Sequence, residues 1–321
     1  MSRAGAASRA AAAPIRPETS GLLLVDKPAG PTSHDVVVRV RRALGAPGAG
    51  HLGTLDPPAT GLLVIALGAA TRCVPLLQSG DKTYEVDVTF GVETDTEDAS
   101  GAVVARATVD CDEAAIRAAA AQLTGPLDQI PPMVSAIRVD GERLHHAARR
   151  GVTVERAPRR VHVRAWEWLD IALPGARARI VCSPGTYVRS LVRDLGRALG
   201  CGAIVASLRR LRSEPWDVEA AVTAEDLARL PADALRAKGG VPLGEALRRF
   251  PSVVLDRSER ERLADGRAIE RGGEPGATGE TFVLSDADGV PLAIAARAGE
   301  PGSPVLQPRI VFPWAVRGVP A

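Results

Sequence analysis

Residues 50–61 read Gly50-His51-Leu52-Gly53-Thr54-Leu55-Asp56-Pro57-Pro58-Ala59-Thr60-Gly61, one acid and one histidine set among glycines, threonines and prolines. An Asp followed by Pro is by itself often only a turn former, so the flanking sequence must carry the reading. Upstream, Leu22 to Val25 predicts a short strand. Thr32 or Ser33 can cap a helix whose apolar positions Val36, Val37, Val40 and Leu44 share one stripe as far as Gly45. Downstream, Leu62 to Leu67 predicts a fully buried strand, while Lys82 to Phe90 alternates, with Tyr84, Val86, Val88 and Phe90 on one face and Thr83, Glu85, Asp87 and Thr89 on the other. Gly48, Gly50 and Gly53 satisfy G-x-G-x-x-G, but they follow a predicted helix instead of a strand. Pro57 and Pro58 stand where a phosphate-binding helix would run, so a dinucleotide site and a nicotinamide dehydrogenase are set aside. Ser33-His34-Asp35 is no catalytic triad, because adjacent helical residues diverge; Ser33 is more useful as a cap.

Further along, Asp112 to Leu123 predicts a helix, Val134 to Val139 a strand, and Arg143 to Arg150 a short basic helix closed by Gly151. Val161 to Trp168 and Ala176 to Cys182 predict strands. Val188, Leu191, Val192, Leu195 and Leu199 then mark a helix, and Ile204 to Leu211 a strand behind it. Strands and helices mix without strict βαβ alternation, which points to an α+β fold on a mixed, mainly antiparallel sheet. Residues 231–243 read as a linker bearing Pro and Gly. Beyond it, Ser258 and Glu261 suggest a capping box, and Thr281 to Ser285 with Leu292 to Arg297 a hairpin, so the tail reads as a small β-rich second domain. Residues 1–19 have no periodic apolar face and read as a disordered tail.

A length of 321 residues suits about two domains. With 45% hydrophobic and 24% charged residues the chain is neither disordered nor fibrous. Its strongest apolar run, Leu62 to Leu67, falls far short of the roughly 20 residues of a membrane span, and the N-terminus lacks the apolar core of a secretory signal; a cytoplasmic protein is expected. Cys73, Cys111, Cys182 and Cys201 form no metal-type spacing, so no metal is implied. The formal net charge is only +2, yet it is unevenly spread. Glu85 to Glu113 holds nine acids and one Arg, whereas Arg138 to Arg164 holds eight Arg against three acids and Arg189 to Arg212 six against one. Two basic stretches suggest a localised anionic partner, tRNA or another nucleic acid; a solvated Arg-rich surface accounts for the charge equally well.

The Asp56 loop and its surroundings resemble the TruB family of tRNA pseudouridine-55 synthases, whose signature is a G-H-x-G-x-L-D-P-x-A-T-G loop. The resemblance extends through Gly21-Leu-Leu-Leu-Val-Asp-Lys-Pro28 with Gly30, Thr32, Ser33 and His34, through Lys82-Thr-Tyr84, and through Gln129-Ile-Pro-Pro-Met133 with Ser135-Ala136. It continues in Cys182-Ser-Pro-Gly-Thr-Tyr-Val-Arg189, Gly200-Cys-Gly-Ala203 and Leu208-Arg-Arg-Leu211. These blocks keep the family order over residues 21–212. Leu52, Pro58 and Val134 depart from the family's usual residues, and Val134 puts a local aromatic contact in question.

The resemblance implies a pseudouridine synthase catalytic domain over residues 20–235, with an RNA-gripping insertion at about 130–160, and a PUA-like domain over 245–321. It implies that a T-arm uridine of tRNA is flipped out, cleaved at N1 and rejoined through C5, which needs no cofactor. A monomer without an obligatory protein partner is implied too. Asp56 matches the nucleophile and Arg189 the arginine paired with it; a guanidinium so placed is expected to lower the carboxyl pKa. Tyr84 matches the residue that stacks on the flipped uracil and serves proton transfer, although strand pattern alone would make it core. Tyr187 and Leu208 match residues lining the uridine pocket, and His51 the residue that enters the RNA loop as the base leaves. A tRNA-binding or tRNA-folding module is the alternative. It would have no need to bury a carboxylate against an anionic partner.

Overall fold

A computed structural model describes residues 15–135, 154–271, 279–300 and 303–316, with the backbone of 138–139 and 142–143. The large sheet is built from β1 (Gly21–Lys27), β2 (Ala49–His51), β3 (Thr60–Leu67), β4 (Lys82–Phe90), β5 (Gly125–Gln129), β6 (Arg159–Ala172), β7 (Gly175–Cys182), β8 (Ala203–Ser213) and β9 (Gly240–Pro242). Their order is β9-β1-β3-β8-β4-β7-β6-β5, with β2 on β3 and Trp216–Asp217 on β8. Neighbours are antiparallel except β3 and β8. The mixed, mainly antiparallel α+β sheet expected from the sequence is therefore what forms.

The continuous apolar run of β3 has a simple cause: both faces of the strand are buried. Leu63 and Ile65 join Leu23 and Val25 of β1 in one core, with Val36 and Val40 of α1 (Ser33–Ala43) and with Leu191, Val192 and Leu195 of α3 (Val188–Ala198). Leu62 and Val64 join Leu22 and Leu24 in a second core on the opposite face. The helix α2 (Glu113–Gln122), N-capped by Asp112, adds Ile116 to the first core. β4 keeps the predicted alternation over its whole length. On its outer face Glu85 and Asp87 lie opposite Arg179 and Arg177 of β7 and pair with them at 2.8 and 2.6 Å.

Residues 231–243 are not a linker. They form α4 (Ala232–Gly239) and β9, and β9 pairs with β1 in register Leu22 to Val241. The Pro and Gly content misleads because Pro231 sits at the helix N-cap and Gly240 at its C-cap, positions that tolerate them. The C-terminal sheet comprises β10 (Ser252–Val254), β11 (Ile269–Glu270), β12 (Thr281–Ser285), β13 (Pro291–Arg297) and β14 (Val305–Val311), in the order β10-β12-β13-β14-β11. The β12–β13 hairpin is as predicted. Val283, Ile294 and Phe312 pack into the second core with Leu22 and Leu62, so the small sheet is docked on the large one.

The helix α5 (Arg257–Ala264) starts earlier than the Ser258 and Glu261 pattern suggests. Asp256 is its N-cap and Glu259 closes the capping box, while the Ser258 hydroxyl donates to Asp256 Oδ1 at 2.9 Å. At the N-terminus, Pro17–Thr19 forms a turn of 3₁₀ helix and Ile15 packs on the second core, so this part of the expected tail is structured. Residues 133–135 are bends, and among the described residues of the expected 134–139 strand Arg138–Val139 is extended, paired with Glu142–Arg143. Beyond Arg143, which belongs to that short pair, the expected basic helix and most of the RNA-gripping insertion lie outside the described residues.

Candidate active site

Asp56 lies in the loop between β2 and β3, and two side chains hold the backbone on either side of it. Lys27, at the end of β1, is fully buried; its Nζ donates to the carbonyls of Pro28, Pro57 and Ala59 at 2.8, 3.0 and 2.8 Å. Burial lowers its pKa to about 8, with the Asp56 charge opposing. Ser33 was expected as a cap, but Thr32 takes that role in a capping box with Asp35. The Ser33 hydroxyl instead donates to Leu55 O and accepts from Leu55 N, both at 2.9 Å. Ser33→Ala would strand a buried amide and carbonyl next to Asp56. A loss of about 1–3 kcal/mol is expected, read as a lower midpoint in urea unfolding.

Arg189 stands in the first turn of α3 with its side chain only 4% exposed. Its Nε lies 2.9 Å from Asp56 Oδ2 and its Nη1 3.9 Å from Asp98 Oδ2. Nη1 also donates to Thr96 O at 2.7 Å, and Nη2 to Val134 O at 2.8 Å. The fork is thus held by both carboxylates and two carbonyls, a set an ammonium cannot span. At the same helix end, the Gln129 amide clamps the backbone of Tyr187, donating to its carbonyl at 3.0 Å and accepting from its N–H at 2.8 Å. Arg193 pairs with Glu97 at 2.6 Å, and Ser190 donates to the same carboxylate at 3.1 Å. The acidic stretch therefore supplies the carboxylates that anchor α3.

Asp56, Tyr84, Tyr187, Arg189 and Leu208 line one cavity of about 330 Å³, together with Lys82 and Arg210. His51 is not among its lining residues; it lies on β2, pairing with Ile65, and its Nδ1 is buried without a hydrogen-bond partner among the described residues. Lys27, Ser33, Gln129, Asp98 and Arg210 were not singled out as site residues. Lys27, Ser33, Gln129 and Arg210 fall inside blocks that carry the family resemblance, but only their placement reveals what they hold.

Arg189 acts on Asp56 with the expected sign, but burial outweighs it. Burial pushes the Asp56 carboxyl above its ordinary value; Arg189 opposes this and Asp98 adds to it. The Asp56 side chain keeps 35% exposure, but that surface faces a protein-walled cavity, where desolvation persists. Burial likewise raises the Tyr84 and Tyr187 hydroxyls, lowers Lys82 to about 8 and lowers His51.

Residues 41–188 match the family described as TruB family pseudouridylate synthase (N terminal domain), and 189–250 match the tRNA pseudouridylate synthase B C-terminal domain. The chain belongs to the TruB family. It is 46% identical over 249 residues to the tRNA pseudouridine synthase B of Aromatoleum aromaticum, covering 78% of this chain and 80% of that protein. Over 284 residues it is 44% identical to that of Burkholderia mallei, covering 87% and 93%. Among solved structures, a chain of a Cbf5-Nop10-Gar1 complex superposes with a TM-score of 0.70 at 26% identity, covering 93% of this chain and 88% of that one. This TruB-family chain is accordingly a pseudouridine synthase, an isomerase of uridine in RNA, with an α+β catalytic sheet and a small PUA-like C-terminal part. Its departures from the family pattern are accommodated: Leu52 is fully buried in the second core, and Val134 contributes to the site through its carbonyl.

The charge argument for an RNA partner needs correction in one stretch. Of the six arginines from 189 to 212, five are ion-paired within the chain, to Asp56, Glu97, Glu93, Asp26 and Asp217, and the sixth, Arg210, is buried. Arg189, Arg193 and Arg210 are buried, whereas the side chains of Arg197, Arg209 and Arg212 stay 40–59% exposed.

Proposed function

We propose that this chain converts the T-loop uridine 55 of tRNA to pseudouridine, with Asp56 as its nucleophile. The observation that carries this reading is the Asp56 carboxylate held by Arg189 in a cavity walled by Tyr84, Tyr187 and Leu208; the relatives named tRNA pseudouridine synthase B supply the substrate class. The reaction neither adds nor removes atoms. One carboxylate, a counter-ion and a closed cavity are sufficient groups for it. Asp56 attacks ribose C1' or uracil C6, or removes the C2' proton; Tyr84 stacks on the uracil and takes up the C5 proton through its hydroxyl, while Tyr187 and Leu208 complete the uridine pocket.

The flipped base costs a few kcal/mol of lost stacking. His51 replaces part of it, a ring on a base being worth about 1–3 kcal/mol. Its lowered pKa suits this role, since a neutral imidazole stacks without needing a phosphate. Phosphate contacts come from the Arg138 to Arg164 stretch and the C-terminal sheet, with the exposed Arg197, Arg209 and Arg212 beside them. Affinity for tRNA is therefore expected to fall on the order of 10²-fold or more between 50 and 200 mM salt; filter binding across that range checks it, and a flat response contradicts it.

The deciding assay is tritium release from tRNA labelled at uracil C5. Release from tRNA carrying the T-loop uridine, and none when that position is cytidine, supports the reading. Binding without release would leave a tRNA-binding or tRNA-folding module. A monomer acting in the cytoplasm without a protein partner completes the proposal. The light-scattering mass of the purified active chain tests the monomer.

A further inference from the structure

Arg210 is, with Arg297, among the largest fully buried side chains of the described residues, at 1% exposure, and no carboxylate pairs with it among them. A buried cation without a counter-charge costs several kcal/mol, so its retention calls for a reason. Its position on β8 is tightly defined. Nε donates to Leu62 O at 2.6 Å and Nη2 to Gly53 O at 3.1 Å, so the guanidinium bridges β3 to the loop that carries Asp56. Gly61 permits the backbone of β8 to approach β3 here, since a Cβ on it would lie 2.2 Å from Arg210 O. In the β4–β8 ladder Arg210 is the direct register partner of Tyr84, and both line the cavity with Asp56. Burial raises the Tyr84 hydroxyl and the Arg210 charge opposes that; the same charge adds to the lowering that burial imposes on Lys27, Lys82 and His51.

We propose that Arg210 is a positioning residue that fixes a positive charge on the Tyr84 side of the cavity and supplies the counter-charge for the Tyr84 phenolate that takes up the C5 proton. The inference rests on the reading of Tyr84 given above. Once C5 has bonded to C1', the Tyr84 hydroxyl gives its own proton to water, and the resulting phenolate takes the proton from C5, whose electron pair returns to the ring toward N1. N1 takes a proton from water, so nothing is gained or lost overall. Negative charge gathers transiently on the phenol oxygen. A buried phenol ionises with difficulty in an apolar wall, and an uncompensated guanidinium opposite it offsets that cost.

The test is a double-mutant cycle of Arg210→Gln and Tyr84→Phe, read by single-turnover rates on tRNA carrying hydrogen or deuterium at C5 of the target uridine. Arg210→Gln is expected to slow turnover on the order of 10–10²-fold, within the range of proton-transfer effects, with tRNA affinity retained and an isotope ratio no smaller than that of the intact enzyme. The double variant is expected to be no slower than Tyr84→Phe alone. Arg210→Lys, which keeps a cation, is expected to recover part of the rate. Should the Gln variant not fold, the same cycle run with Lys decides. Losses that multiply in the double variant, or an isotope ratio that falls, overturn the proposal. Tyr84→Phe at the unaltered rate would instead overturn the reading of Tyr84, which separates the two failures.

Discussion

Asp56→Asn is expected to abolish tritium release from C5-labelled tRNA, with a fall of at least about 10⁴ in the single-turnover rate and tRNA affinity nearly unchanged. The amide keeps the size of the carboxylate, so the cavity is preserved while the proposed nucleophile is lost. Stability gives an independent check with a definite sign. A carboxyl whose folded pKa lies above its unfolded value binds its proton more readily in the folded state, so its contribution to stability grows as pH falls and is unfavourable at neutral pH. Asp56→Asn is therefore expected not to lower the melting temperature at pH 7. A clear loss of Tm there would mean that the carboxylate contributes to holding the fold together.

The second large effect is at Arg189. Arg189→Lys is expected to lower turnover by about 10²–10³-fold, the range seen when one fixed electrostatic group is removed from a reacting site. An ammonium cannot reach Asp56 together with the carbonyls of Thr96 and Val134. Arg189→Gln should also destabilise the fold by about 3 kcal/mol, the low end for a broken buried pair because Asp56 retains contact with the cavity. The pH profile distinguishes this from simple loss of packing. In the proposed mechanism activity needs the ionised carboxylate, so it is expected above the raised Asp56 pKa and lost as pH falls through it. The acid limb should lie above the roughly 3.9 of an ordinary Asp. In Arg189→Gln the opposing charge is gone, and the limb should move to still higher pH. A limb that stays in place would show that Asp56 does not set it.

Alternation made β4 legible, and the doubly apolar run made β3 legible, because burial on one or both faces writes itself into neighbouring residues. The linker reading of 231–243 failed because Pro231 and Gly240 cap a helix, and whether caps bound a helix or a loop depends on what packs on the intervening residues. Leu235 is fully buried in the first core, which a local pattern cannot announce. Ser33 shows the same limit. Its hydroxyl suits a helix cap, but a residue 22 positions away takes it.

The Asp56 loop, Arg189, Tyr84, Tyr187 and Leu208 could be named from the chain alone, since their types and order are preserved in short motifs. Only the tertiary structure decided the state of those groups. Asp56 and Arg189 are 133 positions apart, and the balance between burial, which raises the carboxyl, and the guanidinium, which lowers it, depends on the walls that close around them. Counted along the chain, Arg189 to Arg212 reads as a surface for an anion; in the fold those charges meet Asp56, Glu93, Glu97, Asp26 and Asp217, and Arg210 turns inward to Tyr84. Sequence specifies which charges a chain carries, but their energies depend on distance and dielectric, and those are set when distant segments pack.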